Sequence, residues 1–560
     1  MKKNKPSLKR IIDRVEKMPK WIDWVIFALY IIGVIIITSF HEPWFDEAEA
    51  WVIGRDAPLK DILFLIPHYE GHPPLWYLYL GAIARTGIPY ELGMKAGTIL
   101  INAVAVLILI KKAPFYRLIR YLIPFNYFFF YHYGVMSRCY SFMFLGFVLM
   151  ALFFKERREK PIRVILSMCL VCLSSAYGLL FCFGITLAWI IDIIKENYSK
   201  GFIKGILKNK QILAMMILLA VAIVIVILIY PYPDTYAHIK KSLLPFSQRL
   251  YYSFIILPID ALFFSAVHTD ATLFINAGMI AITLIVYMLT AVFVGFICKK
   301  TKKTWYLILP YLMFSLFAGM KYITTHHEGI MTFLYLFWIW ICVDESDKVY
   351  ELPEFVIKHT KEKERKQING IAIVLAVICL LVPAYWSIGA SYYEIKYTYE
   401  ASREMAKFLK ETGLDQRNII MNWESVKNKD GEKIELINNQ LAPAANAYFD
   451  HNIFYTYNYG EPKKTYADWR MLDQEQIDEI IKVYGTYEKP DVLINYAPYQ
   501  MFFPDYVADY VLVKTIREGQ IYKDFCLELD DDGMRNRRIY LREDLLDEYG
   551  LTRIKDYYED

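Results

Sequence analysis

The chain has 560 residues, of which 56% are hydrophobic, and a mean hydropathy of +0.26. Water-soluble chains of this length are nearer about 45–50% apolar, so a purely soluble reading is disfavoured. The net charge of +4 is small, and its sign is segregated along the chain, which argues for membrane orientation rather than nucleic-acid binding.

The start, Met1-Lys2-Lys3-Asn4-Lys5-Pro6, is basic and precedes an apolar run. That run ends in Phe40-His41-Glu42-Pro43 with no small-residue cleavage site, so it reads as an uncleaved first span. Further apolar runs, most of roughly 18–22 residues, match the thickness of a bilayer's hydrocarbon core. They predict eleven spans, at 22–40, 93–110, 118–135, 140–154, 162–177, 178–194, 211–230, 274–298, 304–320, 328–343 and 368–388. Residues 137–139 could form a tight hairpin between two of them. Cys169 and Cys172 lie inside an apolar run and read as small residues at helix contacts rather than as ligands.

Lys and Arg alternate in density between connections. One alternate set holds 32 of them and the other holds 8. The positive-inside rule places the first set, and the N-terminus, in the cytoplasm of a plasma (inner) membrane protein. Eleven crossings then leave residues 391–560 outside. Segment 60–90 is apolar but short and interrupted by Pro73-Pro74 and Gly87-Ile88-Pro89. It reads as interfacial, so the first external loop, 41–92, is expected to carry two helices along the membrane surface. The tail alternates helical and strand patterns. Residues 405–410 form an amphipathic stretch ending at Gly413, and 418–421, 491–494 and 510–513 read as short buried strands. The expected fold class is therefore a polytopic α-helical membrane domain, 1–390, with a small extracytoplasmic α/β domain, 391–560.

Four polar clusters lie on the expected outer side. The densest is His41-Glu42-Pro43-Trp44-Phe45-Asp46-Glu47-Ala48-Glu49. On a helix started by Pro43, Asp46 and Glu49 share a face and Glu47 points about 100° away. Carboxylates beside hydrocarbon must be solvated, paired or cavity-lining. Asp46 could take a proton from a substrate hydroxyl, or share a divalent cation with Glu49, although no third ligand is evident. A plain solvated helix face stays open. The second cluster, Tyr69-Glu70-Gly71-His72-Pro73-Pro74, holds His72 at the membrane edge, as substrate group or as part of a turn. Arg138, third, breaks the outer charge bias and suits a phosphate or lipid headgroups. The fourth, Lys321 to Gly329, places Lys321, His326 and His327 at a helix N-terminus, which attracts anions; a polar connector or a weak zinc site are the other readings. No GxxxxGK[ST] or GxGxxG loop is present, so a nucleotide donor is not expected.

These residues resemble the GT-C glycosyltransferases that use polyprenyl-phosphate sugars, in the style of protein O-mannosyltransferases and lipid A aminoarabinose transferases. The resemblance rests on Trp44-Phe45-Asp46-Glu47-Ala48 and Gly71-His72-Pro73-Pro74-Leu75, and beyond residue 92 on architecture and on Arg138. It implies that Asp46 is the general base and that Glu47 positions acceptor or donor. It implies that His72 shapes the loop beside the site, and that Arg138 and Lys321, with His326 and His327, hold the lipid phosphate as it leaves. The donor would be a polyprenyl-phosphate sugar and the acceptor a glycan, lipid or protein. The rival reading is a polytopic transporter or lipid flippase without glycosyl transfer.

Overall fold

The computed structural model describes residues 8–197, 209–235, 245–263, 277–321, 327–346, 354–421, 423–427, 433–437, 441–454 and 457–470. It also describes a few positions in 473–482 and, in the rest of the tail, 489–495, 509–517, 519–521, 527–529 and 537–555. The chain is mostly helical. Five helices among the described residues are long and apolar enough to cross a membrane, within Ile22–Phe40, Tyr90–Lys112, Ala176–Glu196, Lys210–Ile229 and Thr283–Thr301. Three of these, Ile22–Phe40, Lys210–Ile229 and Thr283–Thr301, keep less than a third of their apolar windows buried. Leu213, Ile223 and Ile227 on one, and Met288, Leu289 and Phe293 on another, stand exposed. Water-soluble monomers rarely expose contiguous apolar faces on this scale, which fits a membrane-embedded chain.

Local chemistry sets the ends of these helices. Tyr90–Lys112 starts after Pro89 and finishes with Lys111 and Lys112, cations against the negative end of the helix dipole. Pro161 opens Pro161–Ser174 at its first turn. Extended Ser175 then separates it from Ala176–Asn197. Gly178 makes this reversal possible, because a Cβ there would lie 2.0 Å from the Val171 carbonyl oxygen. Cys169 and Cys172 are buried in the same core.

One expected span is not a continuous helix. Residues 118–135 break into Arg117–Leu122, a three-residue turn at Ile123–Phe125 and a wide turn at Phe128–His132. Pro124 has no N–H for the ladder, and the Asn126 Oδ1 takes the Phe128 N–H at 2.9 Å. The helix that covers the last expected span is longer than expected. Glu362–Lys396 runs for 35 residues and carries Glu394 up to His41, at the start of the loop that follows the first apolar helix.

That loop holds four helices, Phe45–Asp56, Leu59–Phe64, Ile66–Glu70 and Leu75–Ala84. The first and last, the two that were expected, are pressed together through glycines. A Cβ on Gly54 would meet the Gly81 nitrogen at 2.7 Å, and one on Gly81 would meet the Gly54 oxygen at 2.6 Å.

The tail forms its own α/β core. The amphipathic helix Ser402–Thr412 ends at Gly413, whose φ of 77° is the left-handed cap expected of glycine. Strands β1 (Ile419–Met421), β2 (Trp423–Lys427), β3 (Lys433–Ile437), β4 (Val492–Ile494), β5 (Tyr510–Ile516), β6 (Gly519–Ile521), β7 (Leu527–Leu529) and β8 (Arg537–Arg542) follow. The main sheet has the order β1-β4-β8-β5. β1 and β4 run parallel, and β8 is antiparallel to both of its neighbours, pairing Leu493 and Leu512 with Tyr540. Met405 and Leu409 pack on Ile419, Val492 and Ile539 in one buried cluster.

Candidate functional site

The acidic helix Phe45–Asp56 starts at extended Trp44, whose N–H is accepted at 3.1 Å by the Glu47 carboxylate three residues on. Glu47 then does two further things. One oxygen sits 2.9 Å from His41 Nε2, and the other accepts the Ser137 N–H at 2.5 Å. His41 Nδ1 lies 2.8 Å from Glu394, which also accepts from the Tyr131 hydroxyl. The side chains of His41, Glu47 and Glu394 are fully buried. Burial opposes a charge on His41, but the carboxylates at both ring nitrogens outweigh it and raise its pKa to about 10. Burial likewise opposes charge on Glu47, yet His41 holds its pKa below the usual value. The ring is therefore a cation clasped by two carboxylates, donating from both nitrogens. The His41 carbonyl accepts from Lys95 at 2.7 Å and from Arg403 at 2.5 Å.

Asp46, one residue earlier, faces another direction. Its carboxylate pairs with Arg138 at 2.9 Å, and the two side chains are 27% and 16% exposed. Arg138 follows Ser137, whose N–H Glu47 holds. Glu47 thus fixes the backbone that aims Arg138 at Asp46. Burial weighs against the Arg138 charge, and Asp46 more than offsets this, keeping the guanidinium firmly protonated.

Around this pair lie more ionisable groups. Glu49 accepts the Ala467 N–H with both oxygens, at 2.9 and 3.2 Å. Burial, then the charge of Glu70, pushes its pKa well above the usual carboxylate range. Burial and then Asp46 raise Glu70 to about 7. Burial and then Arg138 depress His72 to about 3, so its ring is neutral. Glu70 Oε1, His72 Nδ1, the Ser137 hydroxyl and the Tyr140 hydroxyl are all buried without a hydrogen-bond partner among the described residues. Native interiors pair most such atoms, so these four are suited to meeting a polar ligand.

The fourth sequence cluster is split: His327 is the N-cap residue of Glu328–Glu345, as expected, whereas Lys321 belongs to the end of the helix before it. Lys321 is exposed and caps the C-terminal end of Trp305–Met320, giving its N–H to the Phe317 carbonyl at 2.8 Å. It is not at the N-terminus of the next helix, because the preceding helix runs up to it. Lys321 makes no contact with Asp46 or Arg138 among the described residues. His326 lies outside the described residues. His327 is buried, with its ring 6.1 Å from that of Tyr140 and 4.9 Å from that of Tyr177. It reaches the Arg138 neighbourhood through Tyr140. No group of three or more His, Cys, Asp or Glu side chains among the described residues is arranged to hold a metal ion.

The tail closes over the acidic helix. Arg55 donates to the carbonyls of Phe449 and Ala447 at 2.7 and 3.3 Å. Arg403 pairs with Glu42 at 3.0 Å and Glu91 at 2.6 Å, and the Trp469 ring meets Phe45 edge-on. Sequence reasoning did not single out His41, Glu394, Glu70 or Trp469. His41 and Glu70 lay within the quoted motifs, and an acid on an apolar helix was the available signal for Glu394. Comparison with protein-family models, curated proteins and solved structures finds no match for this chain.

Proposed function

We propose that the chain is a membrane glycosyltransferase of the GT-C type. In this reading it moves a sugar from a polyprenyl-phosphate donor to a glycan, lipid or protein acceptor on the outer face of the plasma (inner) membrane. The observation that carries it is the Asp46–Arg138 pair. A partly exposed carboxylate and a desolvated guanidinium stand together near buried polar atoms that have no hydrogen-bond partner among the described residues.

The chemistry follows from these two groups. Asp46 takes the proton of an acceptor hydroxyl as its oxygen attacks the anomeric carbon. The bond from that carbon to the phosphate oxygen breaks on the opposite side, so configuration inverts. Arg138 has N–H donors beyond those facing Asp46 and meets the charge growing on the departing lipid phosphate. Neutral His72 and the Tyr140 hydroxyl line the same place, with His327 behind Tyr140.

Eleven crossings are part of the same proposal. The charge bias supports a cytoplasmic N-terminus and an extracytoplasmic tail, and the tail's contacts with Glu42, Glu49 and Arg55 agree with one outer side. At the opposite end, Arg117 and Lys111 gather on Asp23, and Lys303 and Arg157 on Glu345.

The test is a reconstituted assay with labelled polyprenyl-phosphate hexoses. Arg138→Gln is expected to raise KM for the donor and to lower kcat by roughly 10²–10³, the scale of losing one transition-state donor. Unchanged turnover by folded Arg138→Gln protein overturns the assignment. The interrupted 117–132 segment is the one feature that favours a transporter, since transport sites use broken helices. Movement of the lipid across vesicles without sugar transfer would select that reading.

A further inference from the structure

Beside the Asp46–Arg138 pair is a separate cleft of about 160 Å³ between the first external loop and the tail. Ile53, Leu65 and Ile66 form one wall, and Tyr69, Tyr466 and Trp469 contribute rings. Its polar lining is Asp61, Glu70, Lys464, Asp468 and Arg470. Three stretches of chain build it. The Tyr69 hydroxyl meets the Asp234 carboxylate at 3.2 Å, His68 stacks on Tyr232 at 4.0 Å, and Thr235 bridges to Arg470.

The charges exclude several occupants. Lys464 and Arg470 are both committed to Asp468, at 3.1 and 2.8 Å. Three carboxylates face two cations that are already paired, so an anion gains nothing here. Five charged side chains also make a poor seat for an acyl chain. What remains is a neutral ligand with an apolar face and many hydroxyls. A closed void of about 150 Å³ holds benzene, so a cleft of about 160 Å³ takes the ring of one hexose with its outer hydroxyls at the mouth. Aromatic rings offer a flat apolar body to such a ring, and carboxylates accept its hydroxyl protons. Two acceptors stand ready. Among the described residues neither the Asp61 carboxylate nor the buried Glu70 Oε1 has a hydrogen-bond partner.

We propose that this cleft is a saccharide subsite. It takes one neutral hexose-like ring of the acceptor, packed against Trp469, Tyr69 and Tyr466 and hydrogen-bonded by Asp61 and Glu70. The assignment of the ring to the acceptor rests on the reading of Asp46 as the base, because Glu70 borders both the cleft and the Asp46–Arg138 pair. It narrows the acceptor class to a glycan or glycolipid.

The test is binding in the absence of any donor. Full-length protein in lipid nanodiscs, free of glycoside detergent, is titrated with methyl manno-, gluco- and galactopyranosides, read by tryptophan fluorescence and by saturation-transfer NMR. At least one is expected to bind saturably. Trp469→Leu and Asp61→Asn should each weaken it roughly tenfold, equivalent to about 1.4 kcal/mol. Asp61→Asn keeps the test sound if Trp469→Leu fails to fold. Binding of none of the three, binding unchanged in Asp61→Asn, or displacement of the hexoside by inorganic phosphate overturns the subsite. Hexoside binding without transfer overturns the enzyme reading alone; Asp46-dependent transfer without hexoside binding overturns the subsite alone.

Discussion

Asp46 and Glu47 are neighbours in sequence and opposites in environment. Glu47 is sealed between the first loop and the last long helix, and its oxygens meet His41, the Trp44 N–H and the Ser137 N–H. Asp46 is partly exposed and, among the described residues, pairs with Arg138. One step of about 100° around a helix separates a fully buried acid with several partners from a partly exposed one paired with Arg138. The lesson is that an Asp-Glu pair in a loop is not two copies of one function. The buried acid holds the frame, and the partly exposed one is the base in the proposed reaction.

The sharpest way to break this comparison is to remove the buried partner. Glu47→Ala leaves the His41 cation facing only Glu394. Losing one member of a buried pair typically costs about 3–5 kcal/mol. A large fall in thermal midpoint is expected in nanodiscs, whereas Asp46→Asn, which removes the charge of a partly exposed acid and keeps a polar group beside Arg138, should cost less. Similar melting of the two variants would erase the distinction. A smaller effect is expected at Gly54→Ala. The new methyl would meet backbone of the facing helix at 2.7 Å. Overpacking of this kind costs about 1–3 kcal/mol, and transfer should fall as the acidic helix tilts away from Arg138. Wild-type melting and turnover in that variant would show that the contact yields easily.

How much of this was readable beforehand depends on distance along the chain. Asp46 and Arg138 announced themselves, one as an acid and one as an outer-side cation beside apolar runs. His41 with Glu394 did not, because 353 residues separate them and only folding shows the pairing. Glu47 could not be told from Asp46 by residue type, since the difference lies in which face meets the last helix. In the tail, β1, β4 and β5 were visible as apolar runs. β8, the strand between β4 and β5, was hidden by Arg537, Arg538 and Arg542 around its apolar centre. The break within the 118–135 span was missed because composition outweighed Pro124 and Asn126, which interrupt its ladder.

The smallest expected effect concerns pH and sharpens the comparison. Glu70 has an ordinary value of 4.5 and is raised to about 7 in the fold. A carboxyl raised by folding favours the folded state at low pH, and that contribution is lost as pH climbs from the ordinary to the raised value. Glu70→Gln should flatten the stability profile across that interval. His41 behaves differently: its contribution is complete below its ordinary value of 6.5 and is lost as pH rises through about 10. Melting curves across both intervals separate the two groups, and an unchanged slope in Glu70→Gln would remove Glu70 from the account.

The most direct measurement is sugar transfer by Asp46→Asn protein with the thermal midpoint of the wild type. The account predicts a folded protein whose kcat falls by roughly 10²–10⁴, the usual contribution of a general base, with donor binding retained. Turnover equal to wild type in that folded variant would contradict it.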